Sequence, residues 1–131
     1  MNVHIGCGAN VGKSWVNFDK SLVMRLEKIP FIKKIFKMNN KFFPSNILYG
    51  DICKKPLSNQ NQCENIFCAY VLEHLEYEEC KIALQNIFYI LNYGGKFRVI
   101  VPSLESRIQK YNLNKDAHSF MISLGIKKQF P

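Results

Sequence analysis

Short apolar segments recur along this chain with long, polar-flanked stretches between them, a pattern that a parallel sheet requires. Residues 2–6, 15–19, 46–52, 64–69 and 96–101 each read as a strand. Residues 77–91 form the clearest helix, because Cys80, Ala83, Leu84, Ile87 and Leu91 recur at helical spacing. Glu76, Glu78 and Glu79 crowd its N-terminal end, where the helix dipole favours negative charge. Asn92-Tyr93-Gly94-Gly95 is expected to stop it in a turn before the last strand. Strands alternating with helices predict a mostly parallel sheet of about five strands in a layered α/β fold.

One connection is too short for that pattern. Nine residues separate Ile5 from Trp15, whereas a parallel crossover usually takes about a dozen or more. A compact loop or a single helical turn is expected there. The loop opens with Gly6-Cys7-Gly8, and the second strand closes with Asp19. Glycine admits backbone conformations and close approaches that a Cβ forbids. An acidic residue ending the next strand is placed to accept both hydroxyls of a ribose. The pair points to a nucleoside-containing cofactor lying across the carboxyl ends of the strands.

At 131 residues the chain is expected to form a single domain spanning 1–131. No apolar run approaches the roughly 20 residues of a membrane span, and no signal peptide opens the chain. Five cysteines without a CxxC pair, and three scattered histidines, predict reduced thiols, a cytoplasmic setting and no metal site. The net charge of +8 rests almost wholly on lysine, with Arg25, Arg98 and Arg107 the only arginines. Lysine without arginine forks or aromatic platforms is not a strong nucleic-acid signal. The basic segment 21–43 is broken by Pro30, which predicts two short helices. Leu22, Leu26 and Ile29 share one face, as do Ile32, Ile35 and Phe36. It reads as a crossover between strands, with a substrate-facing insert and a membrane-surface helix as the alternatives.

Read in order, the pieces are Ile-Gly-Cys-Gly (5–8), Gly-Lys-Ser-Trp-Val-Asn-Phe-Asp (12–19) and Gly-Asp-Ile (50–52). Then come Pro56-Leu57, Ile-Phe-Cys-Ala-Tyr-Val-Leu-Glu-His-Leu (66–75), and Ile90 through Gly94-Gly95 to Pro-Ser-Leu-Glu (102–105). This succession resembles the class I S-adenosylmethionine-dependent methyltransferases, specifically the small bacterial type 11-like group. The resemblance runs from residue 2 to about 105. It implies a Rossmann-like three-layer α/β sandwich and S-adenosylmethionine as cofactor.

The resemblance also implies roles. Backbone groups at Gly6, Cys7 and Gly8 would lie against the methionine part of the cofactor, with amides facing its carboxylate, and Asp19 would accept from both ribose hydroxyls. Asp51 would meet the adenine amino group, Ile52 would pack on the ring, and Cys68 and Ala69 would line the cleft near the sulfonium. Tyr70 and His74 are the candidate catalytic bases, with a packing or helix-start role as the alternative for His74. Tyr70 stands where the family often has histidine, and Tyr93 and Ser103 replace a proline and an aspartate. Ser103 can still cap the helix that follows.

The family's sheet continues through two more strands, so the chain reads as truncated at its C-terminus. Residues 97–101 would then form an exposed apolar edge, expected to be covered by another subunit or by a missing C-terminal segment. The leading expectation is a methyltransferase acting on a small molecule or saccharide, the saccharide resting on family association alone. The alternatives are a non-catalytic binding module of the same fold and an RNA methyltransferase or nucleic-acid binder.

Overall fold

The computed structural model describes residues 1–21 and 44–124. The expected helices of the basic segment therefore lie almost wholly outside the described residues. The chain groups into two compact units, Met1–Val101 and Pro102–Pro131.

The first unit is built on five strands: β1 (Asn2–Ile5), β2 (Val16–Asp19), β3 (Ile47–Tyr49), β4 (Cys63–Ala69) and β5 (Leu91–Ile100). Their order across the sheet is β3-β2-β1-β4-β5, and every pairing is parallel. The chain thus has the α/β, Rossmann-like architecture expected of the alternating pattern. Between β1 and β2 the backbone makes turns and no helix, as the nine-residue spacing requires.

Helix α1 (Tyr77–Ile90) lays Ala83, Ile87 and Ile90 against Val3, Ile5, Phe18, Ile66 and Cys68. Val3 and Ile5, like Ile66 and Cys68, are two apart, so each pair shares one sheet face. Burying side chains of this size contributes about 1.5–3 kcal/mol each, which makes the α1 face the main source of cohesion. The helix starts where the Glu79 carboxylate accepts the Glu76 N–H at 3.3 Å, one half of a capping box.

All five strands differ from expectation at one end or both: β1 stops at Ile5 and β2 starts at Val16, each one residue short. β3 is only Ile47–Tyr49, because the chain turns at once: Gly50 N–H donates to Asp19 O (3.2 Å), and Lys54 N–H to Asp51 O (3.1 Å). β4 begins at Cys63. β5 begins at Leu91, directly after the helix, instead of at residue 96. Leu91 already pairs with Cys63, and Lys96 pairs with Asn65, so the segment between them bulges from the ladder. The expected stop at 92–95 is therefore an irregularity inside the strand, with Gly94 at φ +74°.

On the opposite sheet face polar and aromatic side chains lie beside the buried Ile47. Asn17, fully buried, donates to the carbonyls of Gly12 (3.1 Å) and Trp15 (2.8 Å) and accepts the Gly12 N–H at 3.1 Å. It pins the β1–β2 loop to the strand that follows. The Phe67 ring lies 4.9 Å from His4 and 6.5 Å from Trp15.

The second unit holds α2 (Leu104–Asn114) and α3 (Ala117–Ser123). Ser103 caps α2 by accepting the Ser106 N–H at 3.2 Å, as its position before Leu-Glu implied. Lys115 ends α2 in a left-handed conformation, and Asp116 caps α3. Among the described residues no helix is long and apolar enough to cross a membrane.

Candidate functional site

The strand order reverses between β1 and β4, since β2 and β3 run outward from one side of β1 and β4 and β5 from the other. In an open parallel sheet such a reversal leaves a crevice at the carboxyl ends of the strands. A cleft of about 230 Å³ lies there. β1 contributes Ile5 and Gly6, and β2 contributes Asp19 and Lys20. Gly50, Asp51, Ile52 and Cys53 follow β3, while Tyr70, Val71, His74 and Leu75 follow β4.

Gly6 sits at φ +69°, and a Cβ built on it would run into Val71 Cγ2. Both facts demand glycine at the point where β1 meets the cleft. The Gly6 and Cys7 N–H groups donate to Phe18 O at 2.9 and 3.2 Å. The Gly8 N–H donates to Asp19 Oδ2 at 2.8 Å, and Ser21 N–H donates to Asp19 Oδ1 at 2.7 Å. All three loop amides thus have partners within the chain, so they are not free to face a cofactor carboxylate as the resemblance implied; the short loop turns them back onto β2 instead. The Asp19 carboxylate is fixed by two backbone bonds, yet it keeps lone pairs for a ligand. Asp51 is held similarly, accepting the Cys53 N–H at 3.0 Å. Ile52 is buried beside it, its carbonyl accepting from Asn86 Nδ2 at 2.6 Å.

Tyr70 leaves β4 in the left-handed region (φ +57°) with its ring 60% exposed. Its N–H still donates to Ile100 O at 2.9 Å, so the strained residue is pinned by β5. Non-glycine residues held in this conformation cluster at functional sites. His74 ends a 3-10 turn, Leu72–His74, with its side chain largely exposed and Nε2 4.0 Å from Glu73 Oε1.

Of the residues singled out in the sequence, Gly6, Asp19, Asp51, Ile52, Tyr70 and His74 meet in the cleft. Cys7, Gly8, Cys68 and Ala69 do not line it. Cys7 is buried and packs with Ile47 and Val11, and Cys68 is fully buried in the core beneath α1. The cleft wall beyond β4 is made instead by Tyr70 and Val71. Lys20, Cys53, Val71 and Leu75 were given no role in the cleft; Val71 and Leu75 stand in the 66–75 motif, and Lys20 and Cys53 lie one and four residues past β2 and β3, the signals that could have marked them. All five cysteines are free. Burial, with the Asp19 charge, pushes the Cys7 thiol up to about 11, and burial pushes Cys68 up to about 12. Burial and the Asp51 charge also raise Cys53. These thiols stay protonated at neutral pH, which removes thiolate nucleophiles from the chemistry available here.

No protein-family model matches the chain, and no curated protein does. Solved structures do. A SAM-dependent methyltransferase from Thermotoga maritima superposes with a TM-score of 0.52 at 19% identity, over 94% of this chain and 60% of that one. A protein from Pyrococcus horikoshii gives 0.55 at 16% identity, over 84% and 50%. A TehB-like SAM-dependent methyltransferase from Corynebacterium glutamicum gives 0.50 at 20% identity, over 75% and 53%. The chain therefore spans half to three-fifths of the length of these proteins. Together with the strand order and the cleft at its reversal, these likenesses show that the chain has the class I S-adenosylmethionine-dependent methyltransferase fold.

Proposed function

We propose that the cleft binds S-adenosylmethionine and that the protein transfers its methyl group to a small-molecule or saccharide acceptor. One observation carries the reading: Asp19 and Asp51, from the ends of neighbouring strands, line a single cleft at the reversal of strand order. The Asp19 carboxylate is held by two backbone donors and would accept the ribose hydroxyls. Asp51 would take the adenine amino group, with Ile52 against the ring. Gly6 would leave room for the methionine part, with the backbone at Cys7 and Gly8 behind it. Cys68 and Ala69 would support the region of the sulfonium from beneath.

When bound, the cofactor supplies an activated methyl on a positively charged sulfur. The protein's part is alignment, because in-line displacement gains most of its rate from the placement of its reactants. Tyr70 and His74 line the cleft and are largely exposed, and in this reading an acceptor would approach beside them. Either could hold or take the acceptor's proton, which matters more for an alcohol than for an amine.

Calorimetric titration with S-adenosylhomocysteine tests the reading. Wild type should bind, and Asp19→Ala should lose at least about tenfold in affinity, since bonds to a charged acceptor are worth roughly 1.5–3 kcal/mol each. No heat of binding from a folded wild type refutes it. A second reading is a binding module of the same fold without turnover. It predicts binding of S-adenosylhomocysteine with no methyl transfer to any acceptor offered.

A further inference from the structure

Asn86 stands where the pattern of its helix calls for an apolar residue. It lies three positions after Ala83 and four before Ile90, on the stripe of α1 that faces the core. Its side chain is half-buried there, and burying an amide costs free energy unless it is hydrogen-bonded. The partner is the Ile52 carbonyl, which accepts from Asn86 Nδ2 at 2.6 Å across 34 positions of sequence.

Ile52 belongs to the turn after β3, and that turn is also fastened from within. The Asp51 carboxylate accepts the Cys53 N–H at 3.0 Å, and the Asp51 carbonyl accepts the Lys54 N–H at 3.1 Å. These bonds set the shape of the turn; the bond from Asn86 sets where it stands relative to α1. The Ile52 side chain packs in the same core, but apolar contact is non-directional and leaves the turn's orientation to the hydrogen bond. Gly50, Asp51, Ile52 and Cys53 all line the cleft, whereas Asn86 does not. Whatever it does for a ligand passes through the turn.

We propose that Asn86 is a positioning residue for purine selectivity: by holding the Ile52 carbonyl, it sets the Asp51 carboxylate against the 6-amino group of adenine. The inference rests on the cofactor reading given above. Adenine presents a donor at position 6. Hypoxanthine presents a carbonyl there and a donor at the neighbouring N1. A carboxylate held in place repels that carbonyl, while one on a loosened turn can shift to the N1–H. Rigidity thus converts one hydrogen bond into discrimination, since selectivity is a difference of two affinities.

The test titrates two ligands by calorimetry: S-adenosylhomocysteine and its inosine counterpart, in which a carbonyl replaces the 6-amino group. Wild type should favour the adenine form by at least about tenfold. Asn86→Leu suits the apolar stripe and removes the donor; it should narrow the preference to about threefold or less. Asn86→Asp, nearly equal in size but with an acceptor in place of the donor, should narrow it likewise and serves if leucine disturbs the core. In both variants without ligand, the Cys53 and Lys54 amides should exchange at least about tenfold faster. The Gly8 amide, bonded to Asp19, should not change. Binding of the adenine ligand with the wild-type preference intact in both variants overturns the inference and leaves the cofactor reading standing. An equal loss of affinity for both ligands also overturns it, because a merely structural residue acts that way. No binding of either ligand by folded wild type removes the cofactor reading and this inference with it.

Discussion

Gly6 is held to glycine by two separable constraints, and Val71 is the handle on one of them. The left-handed φ of +69° would strain any L side chain, at a cost of about 1–2 kcal/mol. A Cβ would also displace the Val71 side chain, and overpacking of this kind adds about 1–3 kcal/mol. Gly6→Ala should therefore destabilise the fold by about 2–5 kcal/mol. Val71 is half-buried against the core cluster, so Val71→Ala alone should cost about 1 kcal/mol.

In the double variant the backbone strain persists, but the colliding Cγ2 is gone. Its cost should fall short of the sum of the singles by about 1–3 kcal/mol, the energy of the relieved overlap. Urea denaturation of the four proteins, read as midpoints at constant slope, measures this coupling. Additivity within about 0.5 kcal/mol would mean that Val71 does not abut Gly6. The wall of the cleft beyond β4 would then be drawn wrongly.

Other consequences follow from burial and charge. Ile87 is 2% exposed under α1, so Ile87→Ala should cost about 2–5 kcal/mol and lower the thermal midpoint. Asp19→Asn removes the charge that accepts from Gly8 and Ser21; its urea midpoint should drop by the equivalent of about 1–2 kcal/mol even without ligand. Cys7 and Cys68 bear raised thiols, at about 11 and about 12 against a reference of 9.0. Above pH 9 the unfolded chain loses these protons and the folded chain keeps them. Stability should accordingly fall between pH 9 and 11–12, by up to about 1.4 kcal/mol per pH unit per thiol. Denaturant midpoints at pH 8.5 and 10.5 check this, and Cys68→Ala should flatten the difference (pH values chosen near that reference).

The parts of the fold legible in the sequence are those set by local pattern. Alternation of strands with a helix of period 3.6 identified β1, β2, β4 and α1 to within a residue or two. The spacing from Ile5 to Trp15 excluded a helix between β1 and β2, and Asp19 stood out by where its strand ends, whereas Asp51, expected inside a strand over 46–52, was singled out only by the resemblance. What escaped was set by pairing across the sheet. Leu91 becomes strand because Cys63 lies opposite it, a partner 28 positions away in sequence, and Gly94 absorbs the excess as a bulge. Cys68 was expected at the cleft because it lies near the end of β4. Its side chain points to the α1 face instead, and the Tyr70 N–H bond to Ile100 decides where the chain leaves the sheet. Period-2 alternation assigns faces, but only the neighbouring strand fixes the last paired residue.

The short β1–β2 connection bears on the kind of ligand the cleft would take. A dinucleotide site places a helix N-terminus behind its glycines, so that free amides and the helix dipole receive a pyrophosphate. Here the backbone between β1 and β2 makes no helix, and the Gly6, Cys7 and Gly8 amides are engaged by Phe18 and Asp19. Among the described residues lining it, the cleft instead presents two carboxylates, with Lys20 the single ammonium. A phosphate would face Asp19 and Asp51 without the amides needed to offset them, and like charges at short range are costly in a partly desolvated cleft. A ligand with a nucleoside, no phosphate, and a sulfonium and an ammonium against one carboxylate meets the opposite balance: its hydroxyls and amino group donate to the carboxylates, and its net positive charge is attracted by them. The bond from Gly8 to Asp19 ties the loop to the carboxylate proposed to hold the ribose, so the two features most visible in the sequence act as one structural unit. That coupling supports S-adenosylmethionine over a dinucleotide. It predicts that S-adenosylhomocysteine, which lacks the sulfonium charge, binds more weakly than S-adenosylmethionine, and that NAD does not compete with either in equilibrium titration. Displacement by NAD would refute the electrostatic argument.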